Sequence, residues 1–278
     1  MINDKVALIT GVSSGIGRET AQLLAERGAR VFGTVRDFRR NGDLPDVELL
    51  HMDVTDEGTV RDGTKFVLEK AGKIDILINN AGYGLTGALE EISVEEAQQQ
   101  FDTNFFGVLR VTQAVLPHMR RQRSGRIVNI SSALGFLPAP FNGIYGASKY
   151  ALEGYTETLD HEVRTLGIRA VLVEPVFTKT DIGKNKKVAQ TVLDAYTEQK
   201  ERIEEAIQKR AHRHDNPRRV AEVIYRAATE EPPHLRYPVG EGVKLSWLRR
   251  FVPVRTFDRV FRKRFQLDQA VHHGGLIL

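Results

Sequence analysis

Tyr145 and Lys149 stand four residues apart in Tyr145-Gly146-Ala147-Ser148-Lys149. On a helix this spacing puts both side chains on one face, one turn apart. An ammonium beside a phenol favours the phenolate and lowers the phenol pKa. A tyrosine tuned in this way can pass a proton to or from a substrate oxygen. The ordinary alternative is a helix with an exposed Tyr and Lys, because this pair also occurs by chance. Two further side chains can serve the same chemistry. Ser132 lies thirteen residues before Tyr145, at the end of an apolar run, where a hydroxyl can hold a substrate oxygen and stabilise charge on it. Asn104 lies inside a helical stretch, where an amide costs a little stability and is either functional or merely tolerated.

Elements must exist to position these groups. Ala147, Ala151, Leu152 and Tyr155 recur at helical spacing around the Tyr–Lys pair. Apolar runs at 5–10, 30–35, 47–52, 74–78, 125–132 and 168–174 read as buried strands, with a seventh at 235–239. Helical patterns separate them, including one long helix over 93–120 with Ser93 as N-cap. A charged helical stretch covers 188–213, and a shorter helix covers 218–229. Alternation of this kind predicts a doubly wound α/β domain with a parallel sheet. The serines of 125–132 fall at the C-terminal end of a strand, where ligands of open α/β sheets sit.

The first strand leads into Gly11-Val12-Ser13-Ser14-Gly15-Ile16-Gly17 and then a helix ending at Gly28. Strand, glycine turn and helix form a phosphate cradle: glycines let the backbone approach a pyrophosphate, whose charge sits at the helix N-terminus. A plain turn is the alternative. The second strand ends at Val35, followed by Arg36. A guanidinium suits a ribose 2′-phosphate, and Ser14 can add a hydrogen bond, so NADP(H) is expected over NAD(H). Arg36 as a solvated charge is the other reading. Asp37 complicates the choice, since one residue of slippage restores an acid for a ribose 2′-OH. Asp53, followed by Val54, can accept from an adenine amino group or cap the next helix. Asn79-Asn80-Ala81-Gly82 ends the fourth strand with small and amide residues that suit close cofactor approach.

The chain has 278 residues, 41% hydrophobic and 27% charged, enough for a substantial core. It has no cysteine, which excludes disulfides, thiolate metal sites and thiol catalysis. The eight histidines show no ligand-type spacing, so no catalytic metal is expected. There is no transmembrane-length apolar run. Met1 leads straight into the first strand, so a cytoplasmic protein without a signal peptide is expected. Residues 241–278 hold eight Lys/Arg and three Asp/Glu, which leaves the rest of the +4 chain near neutrality. The basic character therefore belongs to the tail, and no nucleic-acid partner is expected. Within the tail Trp247, Leu248 and Phe251 precede a break at Pro253. Val254, Phe257, Phe261 and Phe265 then fall on one helical face. A basic amphipathic helix can lie on a membrane or pack on its own domain or a partner subunit.

Together these landmarks resemble the short-chain dehydrogenase/reductase family. The matching residues are Thr10-Gly11, Gly15-Ile16-Gly17, Asn79-Asn80-Ala81-Gly82, Asn104, Ser132, Tyr145 and Lys149, over about residues 5–182. Thr34-Val35-Arg36-Asp37 and Ala147-Ser148-Lys149-Tyr150-Ala151-Leu152-Glu153-Gly154 resemble its 17β-hydroxysteroid and retinol dehydrogenase-like group. The resemblance implies a sheet order of 3-2-1-4-5-6-7 and homodimers or homotetramers. It implies that Tyr145 is the general acid/base, that Lys149 tunes it and binds the nicotinamide ribose, that Ser132 polarises the carbonyl and that Asn104 holds a relay water. It implies a cofactor site of Gly11, Ser13, Ser14, Gly15, Ile16, Gly17, Arg36, Asp53, Val54, Asn80, Ala81, Gly82, Tyr145, Lys149, Pro175, Thr178 and Thr180. The family's usual Pro-Gly is Pro175-Val176 here.

The apolar stretch 135–141, with Leu85 and Phe177, predicts a hydrophobic ketone or aldehyde and its alcohol as substrates, or else packing under a lid at about 180–215. The expected division is a catalytic domain over 1–240 and an extension over 241–278. The competing expectation is a catalytically silent NADP(H)-sensing or scaffold protein.

Overall fold

The central strands are four to seven residues long and mostly apolar, because both faces are covered. A computed structural model describes residues 2–40, 44–176, 186–208, 216–264 and 267. In the first half, β1 (Val6–Ile9), β2 (Arg30–Val35), β3 (Val47–His51) and β4 (Ile76–Asn79) alternate with α1 (Gly15–Glu26) and α2 (Glu57–Ala71). After β5 (Leu85–Thr86) come α3 (Val94–Phe101), a π-helical segment (Asp102–Phe106) and α4 (Gly107–Gln122). Then β6 (Gly125–Ile130), α5 (Gly143–Val163), β7 (Ile168–Glu174), β8 (Lys187–Val188) and α6 (Asp194–Gln208) follow. The described chain continues with α7 (Pro217–Thr229), β9 (Arg236–Pro238), α8 (Gly242–Phe251) and α9 (Val254–Arg264).

Among the described residues, seven strands form one sheet in the order β3-β2-β1-β4-β6-β7-β9, and every pairing is parallel. Counting only the strands of that sheet, this is the expected order 3-2-1-4-5-6-7. Successive strand residues point to opposite faces, so two cores form. Ala7, Ile9, Ile78 and Val171 pack with Leu24 of α1 and Ile224 of α7 on one face. Leu8, Phe32, Leu77 and Ile127 pack with Val67 of α2, Val115 of α4 and Leu159 of α5 on the other. Such side chains are worth about 2–5 kcal/mol each against truncation to Ala.

Local chemistry sets the helix ends. Asp56 caps α2 by accepting from Thr59 N at 3.0 Å, and Gly72 ends it in a left-handed conformation (φ 74°). Ser93 and Glu96 exchange hydrogen bonds in a capping box at the start of α3.

Two expectations change. The single helix over 93–120 is divided by the π-helical segment, which contains Asn104. The helical stretch over 188–213 begins later, at Asp194, because Val188 pairs with Thr86 in a two-stranded sheet. Residues 209–213 lie outside the described residues. Among the described residues, no helix is long and apolar enough to cross a membrane.

Candidate active site

The glycine turn between β1 and α1 is held from both sides. Gly11 N donates to Thr34 Oγ1 at 3.2 Å, and Val12 N donates to Thr34 O at 3.0 Å. The Asn80 amide donates to the carbonyls of Thr10 and Gly11, each at 2.9 Å. A Cβ at Gly17 would strike the Gly11 carbonyl and the Asn80 amide. Gly11 (φ 72°) and Gly15 (φ 58°) take left-handed conformations that glycine adopts without strain. Ser14, the N-cap of α1, makes no side-chain cap bond, and the first turn carries no acidic residue. A helix start left this way is suited to an anion. These residues therefore fit the pyrophosphate of a dinucleotide.

Several predicted cofactor residues have other duties. The Asn80 side chain is spent on the glycine turn, so its contribution is to shape the loop. Asp53 Oδ1 accepts from Thr55 N at 3.0 Å and Thr55 Oγ1 at 2.8 Å, while Asp56 caps α2. The capping alternative for Asp53 is thus overturned, because it closes a local turn instead. Pro175 O accepts from Ala133 N at 2.8 Å and ties the ends of β6 and β7 together. Val54 is buried, Ser13 is exposed, and Ala81 N donates to Thr10 Oγ1 at 3.0 Å. A Cβ at Gly82 would press on Asn104 Oδ1 at 3.0 Å. Arg36 is exposed directly beyond β2. Asp37 turns back to receive Arg39 N at 3.0 Å and Arg39 Nε at 3.1 Å. Thr178, Thr180 and Phe177 lie outside the described residues.

The sheet brings Ser132, Tyr145, Lys149 and Asn104 together from three elements. Ser132 follows β6 and accepts from Leu134 N at 3.2 Å, which caps the 3-10 turn Ala133–Gly135. Its hydroxyl also acts on the Tyr145 phenol of α5, lowering that group's pKa. Lys149, 7% exposed, donates to Ile130 O at 2.8 Å, so the end of β6 fixes its head. Lys149 Nζ is 5.8 Å from the centroid of the Tyr145 ring. Asn104 Oδ1 accepts from Tyr83 N at 3.1 Å. Its Nδ2 donates to Tyr83 O at 3.0 Å and to Ser148 Oγ at 3.3 Å. Ser148 Oγ in turn donates to Tyr145 O at 2.7 Å. The Asn104 side chain is thus fully engaged and clamps α5 to the segment after β4. A relay water would have to use its main chain.

The electrostatics differ from the simple Tyr–Lys picture. Burial raises the Tyr145 pKa, and the Ser132 hydroxyl opposes that rise without cancelling it. Burial lowers the Lys149 pKa to about 8, with Glu153 opposing. Burial is the larger influence on the Tyr145 phenol, and it acts against the downward tuning expected from Lys149. Tyr145 is protonated at neutral pH and is poised as an acid.

Sequence reasoning missed a buried cluster one turn beyond Lys149. Arg236 of β9 pairs with Glu153 of α5 and Glu174 at the end of β7, and donates to Glu157 Oε1 at 2.7 and 3.1 Å. The i+4 spacing from Lys149 to Glu153 was the available signal. Burial raises both carboxyl pKa values, and the Glu153 charge helps to bring Glu174 to about 7. The folded state holds a proton that the unfolded chain has released. That stabilisation is complete below the ordinary value of 4.5 and is lost as pH rises through about 7. Stability should therefore fall by up to roughly 1.4 kcal/mol per pH unit across that window. Thermal unfolding from about pH 5 to about pH 8 checks this, with Glu174→Gln expected to flatten the fall. A wild-type Tm that rises over the same range would contradict it.

In the apolar stretch Leu137 is buried, at 6% exposure, and so is Leu85, at 2%, which pairs with Lys187 ahead of α6. Phe141 meets Tyr196 of α6 edge-on at 6.3 Å. Glu91 receives Leu193 N at 2.8 Å and pairs with Lys200, which staples α6 beside the site.

Comparison with known proteins bears on this arrangement. The model of the family described as short chain dehydrogenase matches residues 5–191. A 3-ketodihydrosphingosine reductase from Bacteroides thetaiotaomicron is 38% identical over 252 residues, covering 88% of this chain and 93% of that protein. Retinol dehydrogenase 8 from Bos taurus is 39% identical over 183 residues, covering 62% of this chain and 58% of that protein. The crystal structure of a short-chain dehydrogenase from Streptomyces avermitilis superposes with a TM-score of 0.81 at 32% identity, covering 93% of this chain and 98% of that one.

Proposed function

The chain belongs to the short chain dehydrogenase family, oxidoreductases that interconvert CH–OH and C=O groups with NAD(P)(H), and we propose that it reduces a hydrophobic ketone or aldehyde with NADPH. The observation that carries this reading is a half-buried Tyr145 whose phenol Ser132 acts on, one helical turn from Lys149, whose ammonium is fixed by Ile130 O.

Bound NADPH supplies the hydride, and the protein's part is to orient and to move a proton. Ser132 and Tyr145 hold the substrate oxygen. The Tyr145 hydroxyl gives its proton to that oxygen as charge develops on it. Lys149, fixed by Ile130 O, holds the ribose and favours the phenolate once the proton has left. Asn104 keeps α5 in register, and its main chain holds a water on the path that returns the proton. Gly11, Gly15, Ile16 and Gly17 present backbone to the pyrophosphate, with Ser13, Ser14, Ala81 and Gly82 beside it. Asp53 and Val54 bound the adenine and Pro175 the nicotinamide, while the expected Thr178 and Thr180 lie outside the described residues.

NADP(H) is favoured over NAD(H) because Arg36 is exposed where a 2′-phosphate would lie, while Asp37 is held by Arg39. Arg36→Ala is expected to lower kcat/KM for NADPH by about 10–100-fold and to leave NADH within about threefold, since a charge-assisted bond to phosphate is worth about 1.5–3 kcal/mol. An unchanged NADPH/NADH ratio would remove the argument for NADP(H).

The hydrophobic substrate is supported by the apolar loop over 135–141 and by the 3-ketodihydrosphingosine in the name of the Bacteroides relative. Each added methylene buried should raise kcat/KM by about twofold to fourfold in a series of straight-chain ketones. A flat series would count against an apolar pocket. Phe106, 44% exposed in the groove between α3 and α4, favours assembly as a homodimer or homotetramer. We treat residues 1–240 as the catalytic unit and residues 241–278 as an extension; of the expected lid at about 180–215, residues 180–185 and 209–215 lie outside the described residues. A silent sensor on the same fold has no use for the connected Ser132, Tyr145, Lys149 and Asn104 set.

A further inference from the structure

The helix α8 turns an apolar side outward. Val243, Trp247 and Phe251 recur at every fourth position and are 53%, 61% and 63% exposed. Val254, just past Pro253, is 67% exposed. The Trp247 and Phe251 rings touch, with centroids 5.3 Å apart, so they make one patch. The other side of α8 faces the protein. Gly242 packs against Val176 and Pro238, and Arg249 Nε donates to Phe136 O at 3.3 Å. A helix at a protein surface ordinarily buries its apolar side and exposes its charges. Here the aromatic pair stays in water, framed by the exposed Lys244, Arg250 and Arg255.

We propose that this face docks on an anionic lipid bilayer. Trp247 and Phe251 enter the headgroup boundary, and the surrounding cations lie over lipid phosphate and carboxylate groups. Charge selects this occupant over a second copy of the chain. Residues 241–278 carry eight Lys/Arg against three Asp/Glu, and a two-fold contact through α8 would set that excess against itself. The anchor is also in the right place. Arg249 donates to Phe136 O, at the end of the turn that Ser132 caps. Docking through α8 therefore brings the rim of the candidate site to the lipid, where a hydrophobic carbonyl resides. Delivery of substrate rests on the hydrophobic-substrate reading above; the docking does not.

Co-sedimentation of the full chain with vesicles tests this. Vesicles of phosphatidylcholine with about one-third phosphatidylserine should bind it at about 0.1 M salt, and vesicles of phosphatidylcholine alone should bind it far less. The double variant Trp247→Glu, Phe251→Glu should lose at least about tenfold in vesicle affinity. NADPH binding and turnover of a water-soluble ketone serve as controls and should be unchanged, which separates lost docking from lost folding and from failure of the enzymatic reading. Absence of binding to the anionic vesicles would overturn the proposal, as would a double variant that binds like the wild type. A wild-type dimer that the same double variant splits, without vesicle binding, would assign the patch to self-association instead.

Discussion

Tyr145→Phe is expected to lower turnover by about 10²–10⁴-fold while cofactor affinity stays within about twofold. The substitution removes one hydroxyl and keeps the ring that packs within α5. Its partner Ser132 keeps the bond to Leu134 N at 3.2 Å, and Lys149 keeps its bond to Ile130 O at 2.8 Å. The cofactor cradle on β1 and α1 is untouched. What disappears is the one acid placed to protonate a developing alkoxide. Burial raises the Tyr145 pKa, so the phenol is in its acid form at neutral pH, the form that the proposed reduction uses. Steady-state rates with NADPH, alongside cofactor titration by fluorescence, check both halves. A variant that retains more than about a tenth of the wild-type rate would assign the proton to another donor.

Ser132→Ala should cost about 10²–10³-fold in kcat, the scale for removing one donor from a developing oxyanion. The serine has two duties, and the measurement separates them. It caps a short 3-10 turn, a contribution of about 1 kcal/mol to stability that leaves the protein folded. It also lowers the Tyr145 pKa against burial. Loss of the hydroxyl should therefore move the alkaline limb of the pH–rate profile upward as well as lower the rate. Ser132→Thr keeps an oxygen at the same place and should restore part of both. A fall in rate with no movement of the alkaline limb would mean that the serine acts on the substrate alone. Rates close to wild type would exclude it from the chemistry.

Much of the fold was legible because buried strands and their turns leave strong local marks. The apolar runs ending at Val35 and Glu174 mark the ends of β2 and β7, and the alternation of elements gives the doubly wound sheet. Ser93 with Glu96 announced the start of α3. What escaped was non-local. A π-helical segment adds one residue to a helix without disturbing its apolar pattern, so Asn104 read as an ordinary helical position. The pairing of Leu85 with Lys187 joins two-residue strands that no periodicity can reveal. The Arg236 cluster gathers residues from α5, β7 and β9, and only the sheet order brings them together. The environment of the Tyr145 phenol was hidden for the same reason. Spacing shows that a lysine is near, but burial decides which influence wins, and burial belongs to the folded chain.

The central claim is NADPH-dependent carbonyl reduction, and oxidation of NADPH by the purified wild-type protein tests it most directly. NADPH and NADH run in parallel against hydrophobic ketones and aldehydes of increasing chain length. The account predicts turnover that is faster with NADPH and rises with chain length. Tight NADPH binding with no turnover across that series would contradict it and favour a protein that senses the cofactor without using it.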